Sequence, residues 1–399
     1  RPNIKEILEK KTALTITDNI RPTLERENLI PARHKIHDLF LEHVMAQAPG
    51  YKKLISWTGA PIMPTPSAVG LIMETIAKKQ GINLIGVDIG GATTDTFSVF
   101  DTIFNRTVSA NLGMSYSISN VLAEAGLANI MRWVPFDVDE ADIRNRIKNK
   151  MIRPTTIPQT LDELQIEQAI AREALRLAFE HHKQLAVGLK GIQQERDISA
   201  AFEQTATGQT LIDMVRLNLI VGSGGILSHA PRRVQSMIMM IDAYQPIEVT
   251  TLSVDSIFMM PHLGVLSTVH DKAATDVFAR DCMIYLGSCV SVMGEGKIGE
   301  KCLEYKITFP DGKVVEDSMP FGELKLYPLE VGQRAVIEAK PTRSFDFGIG
   351  RGKSIKKELD GGVVGIVIDT RGRPLVLPEN KTERVALLNK WAKTMNLYP

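Results

Sequence analysis

The residues best equipped for chemistry form one short stretch. Asp88 stands inside an apolar, β-branched run (Leu84, Ile85, Val87, Ile89) and is followed by Gly90, Gly91, Ala92, Thr93, Thr94 and a second carboxylate, Asp95. Such a run, bounded by glycines, reads as a strand buried on both faces. A carboxylate inside it is costly unless a metal or a hydrogen-bond network pairs with it. Gly90 and Gly91 can take φ > 0 and leave backbone N–H groups uncovered. Successive N–H groups in a tight turn form an anion-binding nest. The hydroxyls of Thr93 and Thr94 can donate to further oxygens, and a carboxylate at a strand end can hold Mg²⁺ through retained waters. The chemistry these types suit is phosphate with a divalent cation. The same residues would also serve a plain β-hairpin whose Gly-Gly turn is capped by the Asp. Neither common phosphate-loop fingerprint is present, because no helix opens at the glycines and no Gly-Lys-Ser/Thr follows.

A second glycine turn, Gly222-Ser223-Gly224-Gly225, follows the apolar run Leu217–Val221 and precedes helical spacing from Ile226 to Tyr244. Alone it is weak, since strand-to-helix glycine turns often serve packing only. Paired with the first, it offers two turns that could grip two ends of one nucleotide.

Other elements must position these turns. Ser67 is a plausible N-cap for a helix running to about Lys79, closed by Gln80-Gly81, which leads directly into the Asp88 strand. Phe97, Val99 and Phe100 return as a second strand, and Arg106–Ala110 reads as a third. Residues 132–216 are charged and helical between Pro158 and Leu189, as expected of a helical insertion used for packing and partner contact. His181-His182 on that helix reads as a solvated face, and Asp255 lies in a further strand-and-helix pair over 249–270. Nearer the start, Ile4–Lys11 reads as a charged helix, Ala13–Ile16 as a strand and Pro31–Ala48 as an amphipathic helix. From about Asp281 short strands alternate with turns such as Asp311-Gly312 and Asp360-Gly361-Gly362, which predicts a separate β-rich domain such as a small barrel. Within it, Phe345–Ser354 imitates a P-loop but fails the spacing by one residue and has no apolar strand before it or apolar helix after it. The expected division is therefore 1–80, 81–280 with the insertion, and 281–399, ending in a helix that carries Leu387, Leu388 and Trp391.

At 399 residues the chain has room for two or three cored domains, and its formal net charge of +1 supplies no general field toward nucleic acid or membrane. Three widely spaced cysteines, Cys282, Cys289 and Cys302, argue against a disulfide scaffold and for a cytoplasmic setting with buried thiols. The chain opens Arg1-Pro2-Asn3 without a methionine, so a processed or truncated start is expected.

Taken together, Pro64-Thr65-Pro66-Ser67-Ala68, the helix after it, Asn83 through Asp95 and Leu219 through Ile226 resemble the actin-like ATPase superfamily. Asp88-Ile89-Gly90-Gly91-Ala92-Thr93-Thr94-Asp95 is similar in particular to the MutL (GlmL) family associated with glutamate mutase, which is unrelated to the mismatch-repair protein of that name. The segment Asp369–Leu375 and the β-rich tail look similar to longer members of that family. The resemblance implies an α/β fold: an actin-like (ribonuclease H-like) ATPase lobe with a helical insertion, plus a C-terminal β-rich domain. It implies ATP or ADP with Mg²⁺ as cofactors. Asp88 would position Mg²⁺ or the attacking water; Gly90, Gly91, Thr93 and Thr94 would cradle the β- and γ-phosphates; Gly222, Gly224 and Gly225, with Ser223 between them, would lie against the adenosine. Ala92 replaces a third glycine found in the chaperones of the superfamily. The superfamily's first phosphate loop, Asp-x-Gly-x-Thr, has no match in residues 1–80, and loss of the first lobe from this chain is the expectation. The implied function is a nucleotide-dependent accessory or reactivating chaperone for an adenosylcobalamin-dependent mutase subunit, with ATP either hydrolysed or only sensed. The resemblance also admits a small-molecule kinase, for which no catalytic base stands out, or a scaffolding module with a vestigial nucleotide site.

Overall fold

The computed structural model describes residues 2–22, 28, 30–60, 62–187 and 210–399. They fall into two compact units, Arg1–Ile62 with Val187–Thr210, and Met63–Ala186 with Leu211–Pro399. The first contains α1 (Pro2–Glu9), α2 (Ile30–His43) and α3 (Tyr51–Ser56). The helix expected to reach Ala48 ends earlier, in a 3₁₀ turn over Met45–Gln47, and Gly50 then takes φ 81°. No strand forms over Ala13–Ile16, where the chain has no ladder partner among the described residues.

The second unit carries the chemistry. In order it comprises α4 (Thr65–Gln80), β1 (Leu84–Ile89), β2 (Thr94–Phe100), β3 (Ile103–Ser109), α5 (Ile118–Ala125), α6 (Leu127–Met131), α7 (Glu140–Ile152), α8 (Leu161–Leu185), β4 (Leu219–Ser223), α9 (Gly225–Ser228) and α10 (Arg233–Tyr244). It continues with β5 (Glu248–Asp255), α11 (Met260–Ser267), α12 (Asp271–Val277), β6 (Met283–Ser291), β7 (Lys301–Thr308), β8 (Val314–Pro320), β9 (Leu324–Tyr327), β10 (Arg334–Pro341), β11 (Ile355–Asp360), β12 (Ile366–Asp369) and α13 (Lys381–Thr394).

A mixed α/β architecture results. Among the described residues, eight strands form one sheet in the order β3-β2-β1-β4-β5-β6-β12-β9. β1 runs antiparallel to β2, placing Asp88 opposite Asp95, and parallel to β4, placing Asp88 level with Ser223. The apolar run around Asp88 is continuous because helices cover both faces of the sheet. Leu84, Phe97, Val99, Leu219 and Val221 pack with Val69, Ile72 and Met73 of α4 and Met260 and Leu263 of α11. Ile85, Val87, Ile89 and Ile220 pack on the other face with α8 and α10. By the two-residue period of a strand, Asp88 and Asp95 lie on the α4 face.

Two expectations change. The helical stretch after residue 132 is no appendage: α8 is one of the two helices that close the second face, with Ala171, Ala174, Leu175, Ala178 and Phe179 buried along one stripe. It ends at Leu185, and the last two positions of the expected span, 188 and 189, lie outside the described residues. His182 continues the buried stripe and is fully enclosed, with ring nitrogens 2.9 Å from Thr107 Oγ1 and 2.8 Å from Ser98 Oγ. Burial pushes its pKa down to about 4, so the imidazole is neutral. Only His181 fits the solvated reading, half-exposed beside Glu124.

The strands after Asp281 divide between two sheets. β6 pairs antiparallel with β5 along its length, and β12 and β9 extend the same sheet. β11-β10-β7-β8 form a separate open four-stranded sheet whose core, around Leu303, Ile307, Ile337, Phe345 and Phe347, is shared with Val290 of β6 and Ile366 and Ile368 of β12. The compositional shift marks a change from helix-rich to strand-rich chain, not an edge of the main sheet.

Candidate functional site

The first turn is held from behind. Gly90 N–H donates to the carbonyl of Thr93 at 2.8 Å, closing a tight loop between β1 and β2. The Gly90 carbonyl accepts from Met114 N–H at 3.0 Å and the Gly91 carbonyl from Ser115 N–H at 2.9 Å. A Cβ on Gly113 would fall 2.5 Å from the Gly91 carbonyl oxygen, so the segment after β3 presses directly on the turn. Neither Gly90 nor Gly91 adopts the left-handed backbone expected for them. Their use is close approach: a Cβ on Gly91 would meet Ser115 Oγ at 3.0 Å. With these carbonyls engaged from behind, the N–H groups of Gly91, Ala92 and Thr93 have no protein partner among the described residues.

Beyond the turn, roles separate. Thr94 is buried and its hydroxyl donates to the Leu112 carbonyl at 2.7 Å, so it braces the hairpin instead of facing outward. Asp95 is buried and held by Arg106 through Nε at 3.0 Å and Nη2 at 2.9 Å. Asp255, fully buried, accepts N–H bonds from Ile257 and Met260 and ties β5 to the start of α11. Asp88 is thus the carboxylate of the three without such a partner among the described residues. Burial, then the Asp95 and Asp255 carboxylates, push its pKa up to about 6. Burial also raises Asp95, outweighing the opposing pull of Arg106.

In the second turn Gly224 takes φ 99°, and a Cβ there would lie 2.1 Å from the Ile89 carbonyl oxygen. This turn therefore abuts the end of β1. Gly222 is a packing position, where a Cβ would come within 2.7 Å of Met240 Sδ. Ser223 is buried, and its hydroxyl has no hydrogen-bond partner among the described residues. Gly225 faces open space.

Both turns open on one cleft of about 990 Å³, lined by Asp88, Gly90 and Gly91 from the first and Gly224 and Gly225 from the second. The other candidates, Ala92, Thr93, Thr94, Asp95, Gly222 and Ser223, do not line it. Several lining residues gave no signal in the sequence. Lys150 of α7 pairs with Glu167 of α8 at 2.7 Å, and Arg232 stands just before α10. The Gly113-Met114-Ser115 run that clamps the turn from behind gave no signal either.

The Phe345–Ser354 loop behaves as its context required. Asp346 Oδ1 accepts N–H bonds from Gly348, Ile349 and Gly350 at 2.7–3.0 Å, filling the loop's anion nest internally, and a strand follows in place of a helix. All three cysteines are free and buried. No group of three or more His, Cys, Asp or Glu side chains among the described residues could hold a metal ion. No helix among them is long and apolar enough to cross a membrane.

Fold and site together define a mixed α/β protein whose main sheet ends in a glycine-lined cleft beside the carboxylate of Asp88. The family is more specific: a family model described as MutL protein matches residues 1–282, and the chain belongs to that family. It is similar to Protein MutL of Clostridium tetanomorphum, with 27% identity over 248 residues, covering 57% of this chain and 51% of that protein. The chain thus spans about half the length of that relative. Among solved structures, component A of (R)-2-hydroxyglutaryl-CoA dehydratase from Acidaminococcus fermentans aligns with a TM-score of 0.28 and 11% identity, over 57% of this chain and 74% of that one. So slight a likeness carries no argument.

Proposed function

We propose that the cleft binds ATP or ADP with Mg²⁺, and that the protein is a nucleotide-dependent accessory factor for an adenosylcobalamin-dependent aminomutase of the glutamate mutase type. The observation that carries the nucleotide reading is the turn itself. Among the described residues, three consecutive backbone N–H groups, Gly91 to Thr93, lack partners beside an unpaired Asp88, in a hairpin that borders the same cleft as Gly224 and Gly225. Successive N–H groups suit phosphate, and the cleft volume suits a ligand of nucleotide size. The sheet order β3-β2-β1-β4-β5, antiparallel at β2 and parallel from β1 to β5, supports the actin-like (ribonuclease H-like) lobe.

The residues also fit Mg²⁺. That ion commonly takes one or two carboxylates and completes its shell with water and phosphate, and Asp88 is available while Asp95 and Asp255 are engaged. Bound metal would neutralise phosphate charge, where most phosphoryl-transfer catalysis resides. Asp88 would hold the metal side of the cleft, the Gly91 N–H on its wall would reach phosphate, and Gly224 lets the second turn sit against β1. Gly222 and Thr94 act through packing, not through contact.

The mutase as partner rests on family membership and the resemblance of residues 83–95. Opening and closing of the cleft would release damaged cobalamin from the mutase. The test is ATP hydrolysis and cobalamin exchange by the full-length protein with its cognate mutase. Exchange is expected to depend on ATP and to fall at least tenfold in Asp88→Ala; exchange that is unchanged in that variant would refute the mechanism.

A further inference from the structure

Charges lining the cleft do not balance pairwise. Lys150 is neutralised by Glu167 at 2.7 Å. Arg232, half-buried on the cleft wall, has no carboxylate within ion-pairing distance among the described residues. Its side-chain hydrogen bonds all leave from Nη1 and all end on neutral oxygens: the Asn396 carbonyl at 2.9 Å, Asn396 Oδ1 at 2.8 Å and the Tyr398 carbonyl at 3.1 Å. Among the described residues, no protein group engages Nε or Nη2.

The contrast with the interior is sharp. Arg172 pairs with Asp242, Arg371 with Asp242 and Asp369, Arg373 with Asp369 and Arg132 with Glu173. A half-buried guanidinium without an acid is the costlier arrangement, and here it faces a cavity. The C-terminal segment fixes it there. Gln235 Nε2 donates to the Leu397 carbonyl at 2.7 Å and Tyr398 Oη to Gln168 Oε1 at 2.6 Å, so the segment that grips Nη1 is itself anchored.

We infer that Arg232 is the anion-recognising side chain of the cleft, held ready by Asn396 and Tyr398, and that it contacts a phosphate of the bound nucleotide. This rests on the nucleotide reading above. A guanidinium presents two free donor positions in a fork that matches phosphate oxygens, and a pre-positioned side chain loses less freedom on binding.

Isothermal titration of the full-length protein with ATP, ADP, adenosine and inorganic tripolyphosphate tests this for wild type, Arg232→Ala, Arg232→Lys and Asn396→Ala. Arg232→Ala is expected to weaken ATP, ADP and tripolyphosphate roughly ten- to hundredfold while leaving adenosine unchanged. Arg232→Lys should recover part of the loss, and Asn396→Ala should weaken the phosphorylated ligands a few fold. Equal losses for adenosine and ATP, or none for ATP, overturn the inference while leaving the nucleotide reading intact. If wild type binds tripolyphosphate in an Arg232-dependent way but no nucleotide, the nucleotide reading falls and phosphate recognition by Arg232 stands. If wild type binds none of the four, both fall.

Discussion

Asp88 is the residue on which the proposed function turns. It sits level with Asp95 and near Asp255, and both neighbours are committed to other partners. Its raised pKa means that the folded protein holds the proton more tightly than the unfolded chain, whose carboxyl titrates near the ordinary value of 3.8. Above about pH 6 the folded state bears the cost of an ionised, half-buried carboxylate; as pH falls from 6 to 4 that cost disappears. Asp88→Asn should therefore stabilise the ligand-free protein by about 1–2 kcal/mol at pH 7.5, after discounting for partial exposure, and by almost nothing at pH 4. Denaturant melts at the two pH values check this, and a variant equally stabilised at both would contradict it. The sequence made Asp88 conspicuous, one acid in an apolar run. It could not reveal which of its neighbours were already paired, because Arg106 is eleven residues past Asp95 with nothing to mark the link. Arg232 was invisible for the same reason: its significance lies in a missing acid.

At the scale of elements, close approach explains more than backbone freedom does. Gly264 of α11 lies so near α4 that a Cβ would fall 1.9 Å from the Ala68 carbonyl oxygen. Neither atom is the end of a flexible side chain, so Gly264→Ala must separate the two helices that cover the Asp88 face. A loss of about 2–3 kcal/mol in chemical denaturation is expected, against less than about 0.5 kcal/mol for Gly225→Ala, whose Cβ meets nothing. Equal effects would show that the helix contact has been misread. Strands and helices around the two turns were legible because apolar period and glycine punctuation agree there. The role of α8 was not. Its spacing predicted a helix used for packing, but nothing local showed that Ala171, Ala174 and Ala178 would lie against the main sheet and close its second face. His182 was hidden with it, since a buried histidine is recognisable only from the hydroxyls of Thr107 and Ser98 on distant strands.

At the scale of the second unit, a buried charge network secures the chain beyond the second turn. Asp369, at the end of β12, receives Arg371 and Arg373, and Arg371 continues to Asp242 of α10 while lying over the Trp391 ring of α13. Burial alone would raise the Asp369 carboxyl, but the two guanidinium groups hold it far below the usual range. Its contribution is therefore present above about pH 4 and is lost as pH falls below that value. Asp369→Asn leaves two buried arginines short of charge and should cost about 3–5 kcal/mol at neutral pH, read as a lowered denaturation midpoint whose deficit shrinks in acid. The Asp369–Leu375 segment stood out in the sequence, but its partners come from positions 242 to 391, a span no local pattern encodes. β6 likewise joins a sheet begun two hundred residues earlier, a pairing that no local pattern near Asp281 encodes. The central claim is that this unit's cleft takes a nucleotide between the two glycine turns, and Gly225 offers the most direct measurement. A Cβ there meets no protein atom within 4 Å, and the residue lines the cleft. Titration of Mg²⁺-ATP into full-length Gly225→Met should show at least a thirtyfold loss of affinity, about 2 kcal/mol, with the melting temperature held within a few degrees of wild type. Wild-type affinity in a folded Gly225→Met protein would contradict the account.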